Sequence, residues 1–241
     1  MNKINAVYLA IAALIVALIA LVMCVICCSQ KKSQNIEEVL MNNPGIIAQA
    51  QERYQQQQQE EAARKRQEMV KANLEALNNN PDDGILGNPD GDVTIVEFFD
   101  FACGYCHRIY PVLKNVMARN PNVKMVAKPV TFVSQHSGYA AKAALAAKEQ
   151  GKFAEAYEAL FSIKGPLTPE SIDGAMAGIG VDMDQLKTDM NSAKVINNVN
   201  SVAELLGNIQ ITGVPTLVIN GEIVQTLDEG VIQEKINAAK Q

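Results

Sequence analysis

The chain has 241 residues, of which 48% are hydrophobic and 20% are charged, a composition typical of folded proteins rather than disordered ones. Its 21 basic and 26 acidic residues give a formal net charge of −5, which argues against a nucleic-acid-binding protein, because such a protein carries a basic stripe. Five cysteines are too few for a disulfide-stapled scaffold, and the length suits one or two domains.

The first predicted element is an apolar helix at the amino terminus. Residues 6–28 contain no charged side chain, and a helix of that length would cross a hydrocarbon core of about 30 Å. The apolar run is longer than that of a cleavable signal peptide and has no clear small-x-small site. We therefore expect residues 1–32 to be a transmembrane or signal-anchor helix, with a cleaved segment or a lipid-modified Cys24 as the alternatives. Lysines flank both ends, so charge alone does not set the orientation.

A polar helical segment follows at residues 33–80. Asn43-Pro44-Gly45 interrupts it early, and the long stretch after this break is rich in glutamine and in oppositely charged residues at i,i+4 spacing. Its apolar positions are too sparse for a buried helix, which indicates a solvated spacer or a self-association element. The residues alone leave both possibilities open for this stalk. Residues 81–92 are dense in turn formers and are the expected linker, with Ile85-Leu86 as a candidate short edge strand.

The remaining residues, 93–241, predict one α/β domain. A β-rich run is followed by a helix and a second strand, then by an alanine-rich helical block, a hairpin and a closing helix. The hairpin turn is Asn220-Gly221, a dipeptide that suits a two-residue turn. The predicted segments are a strand at 93–99, a helix at 103–119, a strand at 123–127, the helical insertion at about 137–207, a hairpin at 216–225 and a helix at 230–240.

The motif Cys103-Gly104-Tyr105-Cys106-His107 lies where the first strand meets its helix. Three chemistries use such a pattern. Cys-x-x-Cys-His is formally a c-type haem attachment sequence, but a haem is not expected at the end of a buried strand. A zinc site needs four ligands, usually two such cysteine pairs or one pair with two histidines, and this chain has one such pair with His136 as the only histidine outside the motif. The third chemistry is dithiol–disulfide exchange.

The start of a helix favours disulfide exchange. Cys103 would face unsatisfied backbone N–H groups and the positive end of the helix dipole, both of which stabilise a thiolate. His107 lies in the first turn and would add to that effect. A stabilised thiolate is a good leaving group and makes the disulfide a stronger oxidant. Cys106, one turn further on, has the position of a resolving thiol.

Two features outside the motif support disulfide exchange. Glu97 is an acid in an otherwise apolar strand, and a buried carboxylate needs a partner or a purpose. We predict that it transfers a proton to or from the cysteine pair through water, with a salt bridge to a core lysine such as Lys128 as the alternative. Pro215 directly precedes a strand, where proline is normally excluded. A tight turn with a cis Val214–Pro215 bond would account for it.

Together these motifs resemble the thioredoxin-fold DsbA family. The similar features are Val-Glu-Phe-Phe-Asp-Phe-Ala-Cys-Gly-Tyr-Cys, Pro111 and Gly-Val-Pro-Thr before the last hairpin, and the helical extension is similar to the branch that includes ScsC. The resemblance implies an α/β thioredoxin fold with a helical insertion, Cys103 as nucleophile and Cys106 as its partner. It also implies that Glu97 is the family's buried acid and that Val214-Pro215-Thr216 binds the substrate backbone.

The type of disulfide chemistry stays open at this point. The inner dipeptide Gly104-Tyr105, which with His107 would tune the redox chemistry, is that of the isomerase DsbC, whereas valine before the proline resembles DsbA. Similar extensions oligomerise the catalytic domains of ScsC and DsbC, and an isomerase benefits from several active sites around one substrate. The resemblance therefore implies that the stalk at residues 33–80 forms a homo-oligomer, and this favours isomerisation. The resemblance implies no metal and no cofactor other than the redox-active disulfide Cys103–Cys106.

The expected protein is a thiol–disulfide oxidoreductase of the bacterial envelope. Its catalytic domain would be periplasmic and anchored in the inner membrane, or secreted to the periplasm if the segment is cleaved, because a disulfide donor is useful only on the oxidising side. Its partners would be cysteine-containing proteins and a membrane redox protein, and no nucleic acid. The alternatives are a c-type haem electron carrier and a redox-independent periplasmic chaperone.

Overall fold

The computed structural model describes residues 3–240, without the side chains of residues 3–10, 12 and 28–35. The chain divides into two compact units, Met1–Ala62 and Ala63–Gln241. In chain order the elements are α1 (Lys3–Asn42), α2 (Gly45–Ala72), α3 (Leu74–Asn78), β1 (Gly84–Gly87), β2 (Val93–Phe99), α4 (Gly104–Arg119), β3 (Val123–Pro129), α5 (Ser137–Glu149), α6 (Phe153–Phe161), α7 (Pro169–Gly178), α8 (Met183–Asp189), α9 (Ala193–Asn208), β4 (Thr216–Ile219), β5 (Glu222–Val224) and α10 (Glu229–Ala239).

The second unit is built on one mixed sheet with the strand order β1-β3-β2-β4-β5. The central strand β2 pairs in parallel with β3 and antiparallel with β4. Strand β1 extends the sheet beyond β3, which confirms Ile85-Leu86 as part of an edge strand. Both central strands are buried on both faces, which is why they read in the sequence as nearly continuous apolar runs.

Alternate residues of β2 face two different hydrophobic cores. Ile95 and Phe99 contribute to a core shared with α4, α5, α6 and α10, whereas Val96 and Phe98 contribute to a second core with α9 and the end of α2. Because side chains alternate along a strand, Glu97 lies on the same face as Ile95 and Phe99. The one acid of this strand is therefore placed on the side of the sheet that α4 covers.

The helical insertion comprises α5 to α9, residues 137–208, between β3 and β4. A run of buried alanines in α5 allows the other insertion helices to approach closely. Thr168, Asp182 and Ser192 cap the amino-terminal ends of α7, α8 and α9 with their side-chain oxygens, which explains where these helices begin.

The first unit contains α1 and most of α2, which are separated near Pro44, where the sequence predicted a break. The predicted transmembrane or signal-anchor helix at residues 1–32 is not supported, because no helix of the described residues is both long and apolar enough to cross a membrane. Residues 1 and 2, and several side chains of the predicted anchor, lie outside the described residues.

The second unit begins earlier than the predicted boundaries of the stalk and linker. It starts at Ala63, within the predicted stalk, and Val70 and Leu77 are fully buried in the second core. The backbone N–H of Ile223 in β5 donates a 3.3 Å hydrogen bond to the side-chain oxygen of Gln67. A few apolar residues are enough to bury this part of the chain, because they pack against only one face of the sheet.

Candidate active site

Cys103 is the N-cap residue of α4, and Cys106 lies in the first turn of this helix. The turn from β2 into α4 is fixed by the buried carboxylate of Asp100, which accepts hydrogen bonds from the backbone N–H of Ala102 at 2.9 Å and of Val133 at 3.1 Å. The hydroxyl of Ser137 donates a third, at 2.7 Å. Asp100 therefore ties the start of the cysteine motif to the loop that leads into the insertion.

The two cysteines differ in exposure. Both are free thiols, but Cys103 retains 8% of its surface whereas Cys106 is completely buried. Burial raises the pKa of the Cys106 thiol, and the neighbouring Cys103 and Glu97 add to this rise, although the backbone of Asp100 opposes it. Cys106 thus holds its proton and needs a base before it can act as a nucleophile.

A cis Val214–Pro215 peptide bond precedes β4, as the sequence predicted. The thiol of Cys103 lies 3.5 Å from the carbonyl oxygen of Val214, so the loop directly faces the cysteine at the start of α4. Thr216 is buried, and its hydroxyl donates a 2.8 Å hydrogen bond to the carbonyl of Gly213, which closes the loop. Residues separated by about half of the chain are thereby brought together at one corner of the domain.

Glu97 is completely buried beneath α4. The hydroxyl of Tyr157, in helix α6, donates a 2.6 Å hydrogen bond to its Oε2 atom, while its Oε1 atom has no hydrogen-bond partner among the described residues. Burial raises the pKa of Glu97 to about 7, and the hydrogen bond from Tyr157 opposes part of that rise. A carboxyl group with this pKa exchanges protons close to neutral pH.

The alternative salt bridge between Glu97 and Lys128 is wrong. Lys128 pairs in register with Phe98 and so lies on the opposite face of the sheet from Glu97. There its ammonium group forms a buried ion pair with Asp83 and donates a 3.0 Å hydrogen bond to the carbonyl of Ala76. The lysine therefore secures the segment before β1 to the sheet.

The residues predicted to tune the redox chemistry have three different environments. Gly104 borders open space, and the ring of Tyr105 is 59% exposed and lies under the guanidinium of Arg108 at 5.3 Å. The Nε2 atom of His107 is 2.8 Å from the carbonyl oxygen of Phe101, which requires the ring proton on that nitrogen. His107 also lines a groove of about 370 Å³ together with residues of the α6–α7 loop.

Sequence reasoning missed two residues of this site, Asp100 and Tyr157. Asp100 stands between two phenylalanines directly after the strand, and a buried acid at such a position is a signal of the same kind as Glu97. Tyr157 is the middle member of an aromatic stripe at i,i+4 spacing, Phe153, Tyr157 and Phe161. This spacing predicts a buried helix face, but the sequence contains nothing that links the stripe to Glu97.

Residues 94–236 match the family model described as DSBA-like thioredoxin domain. The thiol:disulfide interchange protein DsbA of Burkholderia cepacia is 32% identical over 140 residues, a match that covers 56% of this chain and 66% of that protein. The Na⁺/H⁺ antiporter NhaA 1 of Salinispora arenicola is 28% identical over 145 residues, or 59% of this chain, but this chain spans only 22% of that antiporter's length.

Solved structures show the same fold. A thioredoxin-like oxidoreductase from Silicibacter pomeroyi superimposes with a TM-score of 0.66 at 31% identity, covering 69% of this chain and 96% of that one. Proteus mirabilis ScsC in a transitional conformation superimposes with a TM-score of 0.65 at 23% identity, covering 88% of this chain and 97% of that one. The larger coverage by ScsC includes part of the helical region before the sheet.

Proposed function

The chain belongs to the family of proteins with a DSBA-like thioredoxin domain, and from this premise we propose that it exchanges disulfides with cysteine-containing proteins through Cys103 and Cys106. One observation carries the proposal: the N-cap cysteine of α4 lies 3.5 Å from the carbonyl of Val214 in the cis-proline loop. A nearly buried thiol at a helix start, opposite a backbone surface, suits attack on a disulfide that is held by that backbone.

The proposed exchange proceeds through a mixed disulfide. The Cys103 thiolate attacks one sulfur of a substrate disulfide, the new bond forms as the substrate bond breaks, and the other substrate sulfur leaves as a thiolate. Cys106 then loses its proton and attacks the Cys103 sulfur, which releases the second substrate thiolate. The substrate gains two electrons and the cysteine pair loses two. Oxidation of a substrate dithiol is the reverse sequence.

The substrate in this proposal is an extended protein segment. The backbone of Val214-Pro215-Thr216 would pair with the segment on either side of its cysteine, as an added strand does at a sheet edge. Exposed apolar side chains support this role: Phe132 is 57% exposed, and the neighbouring Val133 is anchored to Asp100 next to the cysteine motif. Such a surface suits unfolded chains, which expose apolar residues.

Glu97 is the proposed proton acceptor for Cys106. Glu97 lies on the face of β2 that α4 covers, and Cys106 is buried in the core on that same face, where the charge of Glu97 adds to the rise in the pKa of its thiol. Burial brings the pKa of Glu97 to about 7, so the carboxylate can take a proton from the thiol near neutral pH and later return it to solvent or substrate. Gly104, Tyr105 and His107 would tune the stability of the Cys103 thiolate.

Isomerisation is the direction that we favour within this activity. The dipeptide Gly104-Tyr105 and the long helical extension support it, since an extension that associates would gather several active sites around one misfolded substrate. The proposed setting is the bacterial periplasm, where a membrane redox protein would keep the cysteine pair in its working state. The homo-oligomer is part of this proposal.

The activity is tested with reduced and scrambled ribonuclease A as substrates. We expect the wild-type chain to reactivate both, Cys103→Ser to reactivate neither, and a Cys24→Ser, Cys27→Ser control to retain activity, because those thiols lie outside the site. Retained activity in Cys103→Ser would reject the proposal. A chain that starts at Ala63, where the second unit begins, should lose repair of the scrambled enzyme more than oxidation of the reduced one.

A further inference from the structure

The ring of Tyr157 is held in one position by its aromatic neighbours. It contacts Phe99 edge to face at 5.2 Å and Phe161 at 4.9 Å, and only 2% of its surface is exposed. These contacts leave the hydroxyl directed at Oε2 of Glu97, at 2.6 Å. That distance is typical of a hydroxyl that donates to a charged oxygen.

The other elements that pack around Glu97 offer no competing donor among the described residues. The flanking strands β3 and β4 place Ala127 and Leu217 beside it. Lys128, the nearest cation along β3, faces the opposite core and is paired with Asp83. Among the described residues, Tyr157 from α6 therefore donates the hydrogen bond to Glu97, and Cys106 from α4 is the thiol buried in the core on the same face of the sheet.

We propose that the Tyr157 hydroxyl is a positioning group for proton transfer from Cys106 to Glu97, and that it sets the pH range in which the mixed disulfide is resolved. The hydroxyl occupies Oε2 and leaves Oε1 of Glu97, which has no described partner, as the acceptor. This inference rests on the proposed exchange reaction.

The step is a proton transfer coupled to one exchange of sulfur bonds. The Cys106 S–H bond breaks and its proton passes to the Glu97 carboxylate. The electron pair left on sulfur forms the Cys103–Cys106 bond, and the bond from Cys103 to the substrate breaks with departure of the substrate thiolate. Tyr157 exchanges no proton in this step, because its hydroxyl remains a donor to the carboxylate.

Removal of the hydroxyl shifts the pH dependence in a defined direction. A hydroxyl that donates to a carboxylate stabilises the charged form, so its loss raises the pKa of Glu97 above the present value of about 7. The energy of such a hydrogen bond corresponds to about one pH unit. The fraction of Glu97 that can accept a proton at pH 7 then falls from about a half to about a tenth, a decrease of about fivefold.

The matched pair of variants is Tyr157→Phe and Tyr110→Phe. Tyr157→Phe keeps the ring that packs in the aromatic cluster and removes only the oxygen atom. Tyr110 also contributes its ring to the cluster, stacked on Phe161 at 5.2 Å, but its hydroxyl interacts with Glu158 and Lys114 at the surface rather than with Glu97. The two variants therefore remove the same atom from the same kind of ring.

Every protein in the assay carries serine at positions 24, 27 and 28, because Cys24 and Cys27 are exposed thiols that would also react with the reagent. The assay follows the reduced protein after mixing with one equivalent of 5,5′-dithiobis(2-nitrobenzoate) in a stopped-flow instrument. Attack by Cys103 releases the first thionitrobenzoate, and resolution by Cys106 releases the second. We expect the rate of the second phase in Tyr157→Phe to be about fivefold lower at pH 7 and to match the wild type near pH 9, with its inflection about one pH unit higher. Tyr110→Phe should follow the wild type throughout.

Superimposed profiles for Tyr157→Phe and the wild type would overturn the inference, as would a rate lowered equally at every pH. A wild-type protein with no second phase would instead reject the proposed exchange itself. The ¹³C carboxyl resonance of Glu97, assigned with Glu97→Gln, gives an independent reading of the same shift. It should titrate near pH 7 in the wild type and about one pH unit higher in Tyr157→Phe, and identical titrations would contradict the inference.

Discussion

Replacement of Glu97 by glutamine should make the folded domain more stable above neutral pH, although it removes a group that we assign to the reaction. The carboxyl group is completely buried, and burial raises its pKa from 4.5 to about 7. In the unfolded chain the group ionises near the lower value, so ionisation favours the unfolded state throughout the interval between the two. Glutamine has nearly the same shape, keeps an oxygen that can accept from Tyr157, and does not ionise.

The size of the effect follows from the two pKa values. The raised pKa means that the stability contributed by the neutral acid is fully present below about pH 4.5 and is lost as the pH rises through about 7. The difference of about 2.5 pH units, at about 1.4 kcal/mol each, corresponds to about 3 kcal/mol. Solvent does not weaken this effect, because the Glu97 side chain has no exposed surface.

Urea denaturation of the wild type and Glu97→Gln between pH 4 and pH 9 measures this difference. We expect the two proteins to have similar free energies of unfolding at pH 4 and the variant to be more stable by about 3 kcal/mol at pH 9. Other groups titrate in both proteins and cancel in the comparison. A difference that does not change with pH would refute the reasoning that burial raises the pKa of this carboxyl group.

Two further predictions concern the scaffold of the site. Asp100→Ala removes three hydrogen bonds from the turn before Cys103. We expect it to lower the free energy of unfolding, measured in urea, by about 2–4 kcal/mol and to slow the alkylation of Cys103 by iodoacetamide. An unchanged rate of alkylation would contradict the role of Asp100. Lys128→Met leaves Asp83 buried without its cation and should lower the free energy of unfolding by about 3–5 kcal/mol. Lys128→Met combined with Asp83→Leu should recover most of that stability. A double variant that is no more stable than Lys128→Met would exclude this explanation.

The parts of the site that lie in one local segment were predictable from the sequence. Cys103 and Cys106 occupy a strand-to-helix junction, and the apolar run before them with the helical pattern after them identifies this junction. The cis bond before Pro215 was predictable for a similar reason, since a proline directly before a strand needs a turn. In each case the residues next to the motif determine the geometry.

The parts that depend on pairing between distant segments were not predictable. Lys128 was a candidate partner for Glu97, but a register that pairs Lys128 with Phe98 turns its side chain to the other face. Tyr157 reaches Glu97 from a helix of the insertion, across 60 positions of sequence. The burial of the end of the predicted stalk was also not predictable, because its few apolar residues pack against residues of the sheet that are distant in sequence.

The most direct test of the central claim, that Cys103 is the attacking sulfur and Cys106 the resolving one, is to trap the mixed disulfide. Reduced Cys106→Ser is incubated with a peptide that contains one disulfide, and the products are analysed by intact mass and peptide mapping without reductant. Of the two cysteines of the motif, we predict a stable adduct on Cys103 in this variant and no lasting adduct in the wild-type chain, in which Cys106 is present to release it. An adduct on Cys106 in Cys103→Ser at a comparable rate, or no adduct on Cys103, would contradict the account.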